Sequence, residues 1–208
     1  MARKATVADV GRSSHYFSPS PGAASRPSTV RLDLPDLSLV LRTDRGVFSG
    51  SRIDPGTKYL LTESPAPPDG GHLADIGCGY GPIALTLAVR SPRATVWAVD
   101  VNERALDLTR ANAEGAGLTN VRVASPDDVP ADVRFAALWS NPPVRVGKAA
   151  LHDLLDDWLG RLDTDGTALL VVQKNLGADS LHRWLEARDW SVTRLGSRVG
   201  YRLLQVGR

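Results

Sequence analysis

Two short stretches carry residue types whose spacing suits chemistry on a bound small molecule. Asp75-Ile76-Gly77-Cys78-Gly79-Tyr80-Gly81 lies between a strand-like apolar run and a helix-like run, and Asn141-Pro142-Pro143-Val144 closes a second apolar run. The three glycines keep side chains out of a tight strand-to-helix turn, so a nucleotide-like cofactor can approach the backbone closely. The two prolines remove backbone donors and stiffen a corner that points the Asn141 side-chain oxygen and the Pro142 carbonyl in one direction. An exocyclic amino group has two N–H donors, and two such acceptors would hold both.

The glycine spacing argues against a dinucleotide. Gly81 arrives one residue early for a G-x-G-x-x-G pattern, and Pro82 stands where the last glycine would be. Proline there removes an N–H from a helix start that would otherwise bind pyrophosphate. S-adenosylmethionine (SAM) has no phosphate and loses little by this. Its sulfonium and ammonium groups call for a nearby carboxylate, and Asp75 ends its strand in a suitable place. Asp100, closing the following strand, can accept from both ribose hydroxyls, as an acidic residue does in dinucleotide folds. Asp127 and Asp128 follow a third strand and could meet the adenine amino group. Helix capping for Asp75 and turn formation for Asp100 and Asp127 are the competing readings.

The lone pair of an amide or nucleobase amine is delocalised, so it must be turned toward a methyl donor before it can react. Fixing both hydrogens does this, and in-line positioning supplies much of the rate. Asn141 and Pro142 are therefore the candidate catalytic residues, and the expected chemistry is methyl transfer from SAM to an exocyclic amino nitrogen. A NAD(P)-binding oxidoreductase and a non-catalytic SAM- or RNA-binding module are the alternatives from other classes.

These motifs need a frame. Leu73–Ile76 reads as a strand, Pro82–Arg90 as a helix with proline at its first position, and Ala94–Val99 as a strand. Asn102 suits the N-cap of a helix to about Ala113. Val121–Ala124 and Phe135–Trp139 are further strands. Leu151, Leu154, Leu155, Trp158, Leu159 and Leu162 repeat at helical spacing, Thr167–Val172 is a buried strand, and Leu181, Trp184 and Leu185 mark another helix. Trp190–Leu195 and Tyr201–Val206 should pair antiparallel across Gly196–Gly200. Upstream, Pro35-Asp36 marks the turn of a short hairpin within Arg31–Arg42, and Pro55-Gly56 leads into a helix at Lys58–Thr62. Alternating strand and helix implies a parallel sheet with helices on both faces and ligands at the carboxyl edge, where both motifs and Asp100 fall.

A chain of 208 residues fits one domain. Residues 18–28, rich in Pro, Ser, Gly and Ala, predict a flexible N-terminal arm over 1–28 ahead of a domain over 29–208. The single cysteine, Cys78, excludes an internal disulfide and a Cys-based zinc site within one chain and fits a cytoplasmic setting. Residues 1–30 hold no long apolar run, so neither signal peptide nor membrane span is expected. Net charge is only +2, but Arg and Lys gather at both ends. Asp153, Asp156, Asp157, Asp163 and Asp165 lie between, so the basic ends suit either a phosphate-facing surface or an ordinary solvated one.

On these motifs the chain resembles the methyltransferase small domain family of class I SAM-dependent enzymes, particularly guanine-N2 methyltransferases of small-subunit ribosomal RNA. The likeness runs through His15-Tyr16-Phe17-Ser18, Gly46-Val47-Phe48-Ser49, Asp54-Pro55-Gly56-Thr57, Asp75–Gly81, Ser140–Val144 and Gly200-Tyr201-Arg202. It implies a Rossmann-like, seven-stranded, mostly parallel sheet with an antiparallel last strand. It also implies SAM bound by Asp75, Gly77, Gly79, Gly81 and Asp100, with Gly56 and Thr57 closing over the cofactor's amino-acid end within a covering segment at 29–63. Asn141 and Pro142 would face the amine, most readily guanine N2 of 16S rRNA; a protein amide or another nucleobase is the alternative acceptor. Pro143 and Val144 would lie against the substrate, and Arg145 and Lys148 could either grip RNA phosphates beside the target base or be solvated charges at a helix start. Where relatives acting on adenine or glutamine carry an aromatic residue after the prolines, this chain has Val144, and Phe48 is the candidate replacement for stacking. No metal is called for.

Overall fold

The computed structural model describes residues 24–143 and 147–208. Strands β1 (Ser28–Asp33) and β2 (Ser38–Thr43) form an antiparallel hairpin, followed by α1 (Pro55–Glu63). Then come β3 (His72–Ile76), α2 (Pro82–Arg90), β4 (Thr95–Val99), α3 (Glu103–Gly115), β5 (Val121–Ala124), β6 (Phe135–Ser140) and α4 (Lys148–Leu159). The chain closes with β7 (Leu162–Gln173), α5 (Ala178–Glu186), β8 (Ser191–Arg198) and β9 (Tyr201–Gly207). Seven strands form one sheet in the order β5-β4-β3-β6-β7-β9-β8. β9 runs antiparallel between β7 and β8, and the pairs from β5 to β7 are parallel. This is the Rossmann-like arrangement the motifs imply.

Strand periodicity divides the core into two layers. Successive strand residues point to opposite faces, so Leu73, Val96, Trp139 and Val171 pack with α1, α2 and the hairpin. Ala74, Val99, Leu138 and Leu170 pack with α4 and α5. Helix α2 is buried along Pro82–Ala88 because it lies under both the sheet and α1. A buried amide ties the hairpin to this layer: Asn112 Oδ1 accepts from Arg42 N at 2.7 Å, and its Nδ2 donates to the Arg42 and Tyr80 carbonyls.

Two sequence expectations are corrected. Leu162 continues the helical spacing of α4, yet the helix ends at Leu159 with Gly160 closing the last turn, and Leu162 opens β7 against Phe135. The β8–β9 connection is also tighter than a loop over Gly196–Gly200. Gly196 to Arg198 stay paired with β9, past an irregularity between Arg194 and Gly196, leaving Val199-Gly200 as the turn. Among the described residues no helix is long and apolar enough to cross a membrane. Among them too, no group of three or more His, Cys, Asp or Glu could hold a metal ion. Most of the expected 1–28 arm, with the His15–Ser18 block, lies outside the described residues.

Candidate active site

At the carboxyl edge of β3, β4 and β6 lies a cavity of about 310 Å³. The glycine turn forms its floor. Gly77 and Gly79 have φ of 78° and 58°, and a Cβ built on either would meet nothing within 4 Å. A side chain there would project into open space, which is the room a ligand needs. Gly81 differs: it has φ of 93° but does not border the cavity, and a Cβ on it would lie 2.6 Å from Leu85 Cδ1 and 3.0 Å from Thr109. Its bareness serves the seating of α2 against α3.

The turn spends its own donors. Gly77 N and Cys78 N both donate to the Val99 carbonyl, Gly81 N to the Cys78 carbonyl, and Gly79 N to Asp100 Oδ2 at 2.9 Å. An anion-binding nest needs those N–H groups free. The turn therefore suits a ligand without phosphate there, against the dinucleotide alternative. Asp100 borders the cavity, with Oδ1 accepting from Asn102 N at 2.9 Å. Burial raises its pKa, while backbone donors from Asn102, Gly79 and Val101 oppose the rise. Three donors on two oxygens still leave acceptor capacity for a ligand hydroxyl.

Asp75 lies elsewhere than a ligand-facing carboxylate would. It is fully buried under the turn, Oδ2 accepts from Ala84 N at 2.9 Å, and Oδ1 has no partner among the described residues. Burial pushes its pKa up to about 8, the Ala84 hydrogen bond opposes this, and Asp100 adds to it. It caps the first turn of α2 and does not border the cavity. Asp127 is exposed in a short 3-10 turn after β5 and also stays off the cavity wall.

The acceptor corner is built by long-range contacts. Ser140 Oγ donates to the Ile76 carbonyl at 2.6 Å, pinning the end of β6 to the end of β3. Asn141 Nδ2 then donates to Asp54 Oδ1 at 2.8 Å and to Thr57 Oγ1 at 3.0 Å. Both amide hydrogens are thereby used, and the carbonyl oxygen, with no donor among the described residues, is left for the cavity that Asn141, Pro142 and Pro143 border. Asp54 is the N-cap of α1. Its Oδ1 also accepts from Gly56 N at 2.8 Å and Thr57 N at 3.1 Å. Proline at the first helical position makes Asp54-Pro55 a regular helix start.

Gly56 and Thr57, expected over a cofactor, instead stand behind the corner. Both are buried. Thr57 is absent from the cavity wall and borders a side space of about 20 Å³ between Asp54 and the glycine turn. Gly56 lies under the Tyr201 ring, where a Cβ would come within 2.5 Å of it. Sequence reasoning missed Asp54 and Tyr201 as wall residues, although both belong to motifs it singled out. The Asp-Pro helix-start signal was there to find Asp54 as a cap, but not to place it against Asn141. Phe48 is 63% exposed and borders the cavity at its mouth. Its segment is held by Asn102 Nδ2, which donates to the Gly46 carbonyl at 2.9 Å. Lys148 is exposed at the start of α4 and off the wall; Val144 and Arg145 lie outside the described residues.

The profile of the methyltransferase small domain family matches residues 38–205. The chain is 35% identical over 197 residues to the uncharacterized protein YbxB of Bacillus subtilis, covering 93% of this chain and 98% of that one. It is 34% identical over 142 residues to ribosomal RNA small subunit methyltransferase C of Aeromonas hydrophila, covering 65% of this chain but 40% of the relative. Among solved structures, the T. thermophilus 16S rRNA N2 G1207 methyltransferase RsmC, in complex with AdoMet and guanosine, superposes with a TM-score of 0.71 at 21% identity. That match covers 90% of this chain and 52% of RsmC. The chain thus spans about half the length of the named rRNA methyltransferases or less. Its sequence places it in the methyltransferase small domain family of class I SAM-dependent methyltransferases.

Proposed function

We propose that this chain transfers a methyl group from SAM to the exocyclic N2 of a guanine in 16S rRNA. The observation that carries this reading is the Asn141 amide. Its hydrogens are held by Asp54 and Thr57, so its oxygen is turned into a cavity floored by Gly77 and Gly79.

SAM brings an electrophilic methyl carbon on a positively charged sulfur. Asp100 accepts from a ribose hydroxyl with the acceptor capacity its backbone donors leave open, and Gly77 and Gly79 let the ligand lie against the turn. Asp127, exposed after β5 and off the cavity wall, is the candidate for the adenine amino group. Asn141 Oδ1 and the Pro142 carbonyl each accept one N–H of the guanine amine, turning its lone pair toward the methyl carbon. No base is required before attack, because the amine becomes acidic once alkylated and its proton can leave afterwards. Phe48 at the mouth provides a ring on which the base can stack, the part Val144 cannot play.

Residues 29–63 then serve as one wall of the site, through Gly46, Phe48 and Asp54. An acceptor in the small ribosomal subunit accords with the names of the rRNA methyltransferase relatives, and a cytoplasmic location would follow from that acceptor. Labelled SAM incubated with small subunits lacking the modification tests the reading. Label in 16S rRNA, recovered as N2-methylguanosine after digestion, is the expected result. Label confined to protein, or to another base, would replace it with the corresponding alternative acceptor.

A further inference from the structure

Beside the cavity lies a second, open depression of about 670 Å³ whose charge the methyl-transfer chemistry does not use. Lys174, Arg194, Arg198 and Arg202 line it and no acidic residue does. Tyr201 borders both hollows, and the consecutive Gln173 and Lys174 border one each, so a chain lying in the depression leads directly to the site. Arg198 pairs with Glu63, and Arg202 with Asp179. Lys174 and Arg194 are exposed and make no ion pair among the described residues. Cations on an edge strand such as β8 also discourage strand-to-strand association, which would explain Arg194 but not Lys174 beyond the sheet end.

The hairpin tip carries a second signal. Val199 has φ of 50° and is 76% exposed. A β-branched residue in the left-handed region is strained, and this kind of turn favours Asn-Gly over Val-Gly. Strain kept at an exposed apolar tip between cations is suited to contact with a flat apolar group lying beside phosphates.

We propose that the β8–β9 hairpin, with Lys174, is the surface that grips the phosphate backbone of a single-stranded segment of the RNA substrate next to the target base. Val199 touches a neighbouring base or ribose. The proposal rests on the RNA reading above and adds where the RNA lies. A single strand fits because the target base must leave any stack to reach the Asn141 corner, and single-stranded recognition combines a basic track with apolar contacts to bases.

The test uses the full chain and a fluorescent 16S rRNA fragment that the wild-type protein methylates. Each lost phosphate contact on a single strand lowers the slope of log affinity against log salt by about 0.7. The triple variant Lys174→Ala, Arg194→Ala, Arg198→Ala should therefore show a slope smaller by about two. Between about 50 and 200 mM salt it should lose roughly twentyfold less affinity than wild type. KM for RNA should rise, with SAM affinity as in wild type. Val199→Asn should raise the melting temperature and yet weaken RNA binding. An unchanged salt slope in the triple variant overturns the proposal. So does normal RNA affinity combined with lost methylation of assembled subunits, which would point to a protein partner at this face. If wild-type protein labels no RNA, the RNA reading and this surface fall together; if it does and the slope is unchanged, only the surface falls.

Discussion

Replacing Asp54 by alanine should separate amine positioning from cofactor chemistry. Asn141 Nδ2 has two acceptors, but they are not equivalent. The Thr57 hydroxyl can accept or donate, so it tolerates either orientation of the Asn141 amide. A carboxylate can only accept, so Asp54 alone decides that the amide oxygen faces the cavity. A hydrogen bond to a charged acceptor contributes about 1.5–3 kcal/mol. If that energy is expressed as correct placement in the transition state, its loss lowers kcat roughly ten- to a hundredfold. The same change removes the cap of α1, which costs about 1 kcal/mol and lowers the melting temperature by about 2–4 °C. Asp54→Asn provides the control, because the hydrogen bonds from Gly56, Thr57 and Asn141 all end on Oδ1, which an amide oxygen can replace. It should retain most of the rate. Single-turnover methyl transfer at saturating SAM and RNA, measured well below the melting temperature, reads this out. A wild-type rate for Asp54→Ala, or equal losses for both variants, would refute the reasoning.

Four further outcomes follow from the same geometry. Gly79→Ala should weaken SAM binding in calorimetric titration by at least about tenfold, since its Cβ enters the cavity, with about 1–2 kcal/mol of strain from its positive φ. Gly81→Ala should instead lower the melting temperature more and SAM affinity less, because its Cβ meets Leu85 and Thr109. Asp75, with a folded pKa raised to about 8, holds a proton that the unfolded chain releases near 4. Its contribution to stability is thus complete below about pH 4 and lost as pH rises toward 8. Asp75→Asn should flatten that part of the stability–pH profile in urea melts; an unchanged slope would contradict the assignment. Gly56→Ala should destabilise by about 1–3 kcal/mol, because the Tyr201 ring must move from its 2.5 Å clash with the new Cβ.

Much of this architecture is legible in the residues because local rules suffice for it. The strand–helix alternation from Leu73 onward, the proline opening α2 and the Asn102 cap are each decided within a few positions. The turn glycines are legible as a group but not individually, since Gly77 and Gly81 differ only in what a Cβ would touch. Leu162 reads as helix because apolar spacing continues past the point where Gly160 ends α4. Asp54, Asn141 and Tyr201 meet across separations of 87 and 147 residues, which no local pattern reports. Asp75 shows the same limit from the other side. Strand alternation places it toward α2, but that its carboxyl is sealed under the turn depends on how closely α2 packs.

The central claim is that one rigid corner receives both hydrogens of an acceptor amine beside a cofactor lying on the glycine turn. A crystal structure of the protein with S-adenosylhomocysteine and guanosine tests it most directly. The account predicts the guanine N2 within about 2.7–3.2 Å of both Asn141 Oδ1 and the Pro142 carbonyl, with the cofactor ribose on Asp100. A guanine amine bound to neither oxygen, or a cofactor seated away from Gly77 and Gly79, would contradict it.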